Sequence, residues 1–116
     1  MSLTSDPKDP RLGHGADGEP VPQNEAYLVL SEAERAKGFV RPFRGQYRHV
    51  GTPDDPSKGC GSITSMNPAI AETYARQPDF YGATYCVNCR MHRPVGAQGE
   101  FVWIEQYGAD GARVGT

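Results

Sequence analysis

The chain has 116 residues, is lean in large apolar side chains, is rich in Gly (14) and Pro (10), and carries a formal net charge of −2. That length holds one domain with a small core and many turns. The charge argues against a protein that coats nucleic acid by bulk electrostatics, and no apolar run approaches the ~20 residues that a membrane span needs.

Residues 1–23 are polar and rich in Asp, Pro and Gly, with no apolar segment of the kind a secretory signal requires. They read as a flexible N-terminal arm, with a single zinc-stabilised domain over 24–116. The expected location is the cytoplasm, where thiols stay reduced and free to bind metal. Glu25 to Leu30 predicts a short strand. Ser31 and Glu34 fit a capping box that opens a brief helix, closed by Gly38. From Phe39 to Val50 aromatic and basic residues alternate, and Pro42 demotes the stretch to an edge strand or extended segment.

Residues 51–59 (GTPDDPSKG) have the composition of a surface loop. Beyond Cys60 and Gly61, Ser62 to Thr64 is strand-like. Asn67-Pro68 is a helix start, with Asn as N-cap and Pro at the first helical position. The helix runs over 68–77, with Ile70, Ala71 and Tyr74 on one face and Glu72 and Arg76 paired on the other, until Pro78 stops it. Phe80 to Tyr85 leads as a strand into Cys86-Val87-Asn88-Cys89. Gly96 to Gly99 forms a small loop, and Glu100 to Tyr107 is the clearest strand. Asp110-Gly111 signals a hairpin, with Ala112 to Val114 returning as an edge strand. Tyr74, Phe80, Tyr81, Trp103 and Tyr107 are expected to pack in or over the core. The fold class is α+β: a small antiparallel sheet, one main helix and a zinc knuckle of zinc-ribbon or treble-clef type.

Three cysteines, two of them in a close pair, make a poor disulfide framework and a good set of thiolate ligands for a tetrahedral zinc ion. Soft sulfur donors suit Zn2+, which needs no redox chemistry to hold a fold together. Cys86 and Cys89 reach one ion from a single turn. Cys60, 26 residues upstream, joins from a second segment, where Gly61 permits a sharp turn. His49 is the preferred fourth ligand, at the end of a strand with a loop between it and Cys60. His92 is the alternative, although its closeness to the knuckle forces the chain to double back. A redox-active CxxC opens a helix, which Pro94 disfavours. A zinc deaminase needs a His-x-Glu segment that this sequence does not contain. A histidine-metal nuclease would have to use His92 with Asn67, at unpersuasive spacing. His14 reads as an exposed residue of the arm.

Between residues 35 and 50 lie Arg35, Lys37, Arg41, Arg44 and Arg48 with no acidic residue among them, interleaved with Phe39, Phe43 and Tyr47. Such a surface suits an acidic protein partner or a nucleic acid. Otherwise it is a solvated strand face whose aromatics sit in the core. Arg41, Phe43, Arg44, Tyr47 and Arg48 are the expected partner-binding residues.

The segments Cys60-Gly61-Ser62-Ile63-Thr64, Ala71-Glu72-Thr73-Tyr74-Ala75, Phe80-Tyr81-Gly82-Ala83-Thr84-Tyr85-Cys86 and Glu100-Phe101-Val102-Trp103, with Cys89, His92 and Pro94-Val95, resemble a group of uncharacterised small CxxC zinc-binding proteins encoded in bacteriophage genomes. Phe39 to His49 belongs to the same pattern. The resemblance implies a cysteine-rich metal site and a phage or prophage origin. The functional expectation is a non-enzymatic, zinc-stabilised binding protein that acts in the host cytoplasm on a host or defence protein, with no membrane involved. The alternatives are a nucleic-acid-binding zinc module and a small metal-dependent hydrolase or nuclease.

Overall fold

The computed structural model describes residues 2–6 and 26–116. Most of the expected arm, including His14, lies outside these. At its start, β1 (Ser2–Thr4) pairs in parallel with β2 (Ala26–Leu28), and the Val29 amide donates to the Thr4 carbonyl at 2.7 Å. The short helix α1 (Glu32–Arg35) opens with the expected capping box. Ser31 Oγ accepts from the Glu34 amide at 3.3 Å, and Glu34 Oε1 accepts from the Ser31 amide at 3.2 Å.

The centre is a four-stranded antiparallel sheet built from β3 (Gln46–His49), β4 (Ile63–Ser65), β7 (Phe101–Ile104) and β8 (Asp110–Arg113), in the order β4-β3-β7-β8. Of the two expectations for Phe39 to Val50, the extended segment holds around Pro42, and the edge strand is corrected for residues 46–49. Pro42 lies upstream of the paired residues, so β3 is free to sit inside the sheet between β4 and β7. The register sets Tyr47 opposite Trp103 and His49 opposite Phe101. Side chains alternate along a strand, so Tyr47, His49, Phe101 and Trp103 all point to one face.

Helix α2 (Pro68–Arg76) covers that face. Asn67 caps it, its side chain accepting from the Ala69 amide at 2.8 Å, and Ile70, Ala71 and Tyr74 are buried as their spacing predicts. Tyr74 meets Trp103 edge-on at 5.4 Å, and Tyr47 meets Phe101 edge-on at 5.1 Å. Ring pairs of this kind add roughly 0.5–1.5 kcal/mol each beyond the area they bury. The core is completed by Ile70, Cys86 and Val114. The hairpin of β5 (Ala83–Cys86) and β6 (Met91–Pro94) packs against it as a separate two-stranded sheet.

Two expectations near the C-terminus are corrected. Ile104 pairs with Asp110, so the chain reverses over 105–109 and Asp110-Gly111 opens β8 instead of forming the turn. The reversal uses positive φ at Tyr107 (61°) and Gly108 (77°). That geometry drives Tyr107 into solvent at 97 % exposure, so it is no part of the core. Among the described residues no helix is long and apolar enough to cross a membrane.

Candidate metal centre

Two hairpins meet at one corner of the sheet. His49 ends β3, its ring stacked on Phe101 at 4.8 Å with 29° between the planes. Eleven residues later Cys60 returns to it through the loop 51–59, and the Gly61 amide donates to the His49 carbonyl at 2.8 Å. That return needs glycine at position 59. A Cβ there would lie 2.3 Å from the Val50 carbonyl carbon and 2.7 Å from the His49 oxygen, both backbone atoms that cannot move aside. The second hairpin supplies Cys86 as the last residue of β5 and Cys89 from the turn that follows. The Arg90 amide closes this turn on the Cys86 carbonyl at 2.8 Å, with Arg90 in the left-handed region (φ 58°), and the Cys89 amide donates to Cys86 Sγ at 3.4 Å.

The ligand atoms of His49, Cys60, Cys86 and Cys89 all lie within 4.8 Å of one another. His49 Nδ1 is 3.3 Å from Cys60 Sγ, 3.5 Å from Cys89 Sγ and 3.7 Å from Cys86 Sγ, and the Cys60 and Cys86 sulfurs are 3.5 Å apart. A tetrahedral ion with bonds of about 2.3 Å to sulfur and 2.0 Å to nitrogen places its ligands roughly 3.5–3.8 Å apart. The four distances from His49 Nδ1 and between Cys60 and Cys86 lie near that range, and the four residues could hold one metal ion after small side-chain adjustments. Nδ1 also accepts from the Cys60 amide at 3.3 Å, as the unprotonated ring nitrogen does when Nε2 carries the proton.

The opposite ring nitrogen donates to Glu100 Oε1 at 2.8 Å. Glu100 is buried and answered by Arg93, at 3.0 Å from its other oxygen. Burial raises the Glu100 carboxyl, but the hydrogen bonds from Arg93 and His49 outweigh it and hold the group below its ordinary value. A carboxylate behind a ligand histidine fixes the tautomer and makes the ligand more basic. The thiols respond unequally. Burial raises Cys60, yet hydrogen bonds from Ser62, His49 and Cys86 bring it down to about 6. Burial and the two neighbouring sulfurs push Cys89 up to about 12. Three sulfurs this close repel one another as thiolates, and a cation among them removes that conflict.

His49, Cys60, Cys86 and Cys89 are thus brought together, and His92 is not among them. His92 is buried across the β5–β6 ladder from Tyr85, its ring edge-on to that tyrosine at 5.5 Å. The expected partner-binding set separates. Arg41 and Phe43 are exposed. Tyr47 is 1 % exposed and belongs to the core, so it cannot face a partner. Arg44 lies over the Trp103 ring at 5.0 Å and pairs with Glu105 at 3.1 Å. Arg48 pairs with Asp110 at 3.0 Å and donates to the Gly61 carbonyl. These two arginines cover and clamp the sheet. Glu100 and Gly59 have no distinguishing signal in the sequence. Glu100 opens the clearest strand and so reads as an ordinary strand residue, and Gly59 reads as one more loop glycine.

No family model, no curated protein and no solved structure matches this chain.

Proposed function

We propose that the protein is a non-enzymatic binding protein whose fold is fastened by a structural Zn2+ held by His49, Cys60, Cys86 and Cys89. The observation that carries the reading is the convergence of four protein donors within 4.8 Å of one another. Three sulfurs and one imidazole are a zinc set by donor softness. Four protein ligands complete the tetrahedron and leave no position for a reacting water, which supports a structural ion over a hydrolytic one. Both ligand pairs come from strand ends and hairpin loops and none from a helix, which favours a zinc-ribbon arrangement over a treble clef.

The partner we propose is a protein, on the host side if the chain is of bacteriophage origin, with the encounter in the host cytoplasm. A nucleic-acid module is the weaker reading, because the arginines it would use, Arg44 and Arg48, already serve carboxylates of the same sheet. Elemental analysis should find one zinc per chain. Cobalt substitution should give the intense visible spectrum of a tetrahedral thiolate site. His49→Ala should weaken and alter that spectrum, while His92→Ala should keep it at full stoichiometry. Absence of metal from protein purified under reducing conditions, or a cobalt spectrum of higher coordination number, would overturn the reading.

A further inference from the structure

The five residues Phe39 to Phe43 lie within the connection from α1 to β3 and belong to no sheet. Phe39, Val40 and Phe43 are each more than half exposed, a concentration of large apolar surface found nowhere else among the described residues. The segment is nevertheless anchored. The Val40 and Arg41 amides both donate to the Ala75 carbonyl at 2.9 Å, and the Arg76 guanidinium sits 4.1 Å from the centre of the Phe39 ring. Arg76 is itself tied to Glu72 at 2.8 Å. Pro42 restricts the backbone further. Apolar side chains presented on a fixed backbone lose little entropy when a partner covers them.

Charge narrows the partner. Of the basic residues around this segment, Arg35, Arg44, Arg48 and Arg76 all pair with carboxylates. Lys37 and Arg41 have no carboxylate partner among the described residues. Two cations without a carboxylate partner among the described residues, one of which (Arg41) donates to the Val40 carbonyl at 2.9 Å, do not suit a polyanion. Binding to duplex DNA through about two phosphates is weak, whereas effective binders neutralise roughly six to ten. One face of Phe39 is also already occupied by Arg76, which removes it as a stacking platform.

We infer that Phe39, Val40 and Phe43, flanked by Lys37 and Arg41, form a docking surface for a peptide segment that carries large apolar side chains next to Asp or Glu. This rests on the binding-protein reading above and gives it a location. The test is a selection of random 16-residue displayed peptides against the full-length, zinc-loaded protein. Affinities of synthetic versions of the enriched peptides are then measured for wild type, Phe43→Ser, Arg41→Glu and a Val87→Ser control. Val87 is an exposed apolar residue on the knuckle, outside this surface. The expected result is enrichment of acidic peptides with Leu, Phe or Trp. Their binding should fall at least ten-fold in Phe43→Ser and in Arg41→Glu and hold in Val87→Ser, with melting temperature and zinc content unchanged in all three.

Enriched peptides that bind all variants equally would overturn this surface and leave the binding-protein reading standing. Failure to enrich any acidic apolar peptide would also overturn it. So would a labelled single-stranded oligonucleotide bound through Arg41, or a dimer of the chain abolished by Phe43→Ser. Zinc content, measured in the same samples, reports separately on the metal reading.

Discussion

Glu100 links the candidate metal centre to the rest of the protein. It accepts from His49 on one oxygen and from Arg93 on both, while almost wholly buried. Glu100→Gln keeps the volume and an oxygen for His49 but gives up the charge that answers Arg93 and strengthens the imidazole. The expected effect is a loss of metal affinity of roughly 10–100-fold with the fold retained, read by competition with a chromogenic chelator. Unchanged affinity would mean that Glu100 serves only the sheet. The cysteines, by contrast, are legible as candidate ligands from the sequence alone, because three soft donors with one CxxC pair suit a metal and make a poor disulfide framework. The preference for His49 over His92 is legible too, since a residue three positions from the knuckle cannot easily fold back over the ion. Glu100 is not legible, because its role depends on a strand register that brings residue 100 beside residue 49.

At the level of elements, the capping box, the Asn67 cap and the buried face of α2 follow from local rules and are found as expected. Local rules fail where a long-range partner decides. Pro42 correctly marks an unpaired extended stretch but cannot reveal that the residues after it enter the middle of the sheet. Asp110-Gly111 has the composition of a turn, yet the Arg48–Asp110 ion pair and the Ile104 pairing hold it in β8. Two predictions belong at this scale. Gly59→Ala forces a methyl into the backbone that joins His49 to Cys60. It should cost about 3 kcal/mol and weaken metal binding in the same samples, measured by denaturant unfolding and metal titration. The second concerns Glu72, which joins the two helices by pairing with Arg76 at 2.8 Å and Arg35 at 3.1 Å. The hydrogen bond from Arg76, opposed by burial and assisted by Arg35, lowers its carboxyl from the ordinary 4.5. A carboxyl with a depressed value in the folded state stabilises above its unfolded-state value and loses that contribution as the pH falls through the folded one. Wild type should therefore melt above Glu72→Gln at neutral pH, and the gap should close below pH 4.5. A gap that persists in acid would assign the effect to packing.

For the whole molecule, the candidate metal site and the apolar core are one structure. Cys86 is a core residue, and His49 stacks on Phe101, which packs on Tyr47 and through it reaches Trp103 and Tyr74. Without a cation, this corner holds three crowded sulfurs that cannot all ionise together and a buried Glu100–His49 pair beside the main aromatic cluster. Such a corner cannot collapse onto apolar contacts, since the atoms facing one another are polar, and only its Cys60 side is open to water while His49 and Cys86 are buried. Structural zinc in small peptides supplies an apparent 10–16 kcal/mol or so, comparable to the full stability of a domain. Even free zinc at only a thousand times its dissociation constant would add about 4 kcal/mol. For a chain of this size that corresponds to a melting shift of about 15 °C. Exhaustive chelation under reducing conditions should lower the melting temperature by at least that much. The near-ultraviolet signal of Trp103 should weaken with it, because the ring packs on the sheet that carries His49. Restored zinc should return both. Equal melting of stripped and untreated protein would show that the aromatic core stands without a metal, and the four donors would then be a polar cluster rather than the fastening of the fold.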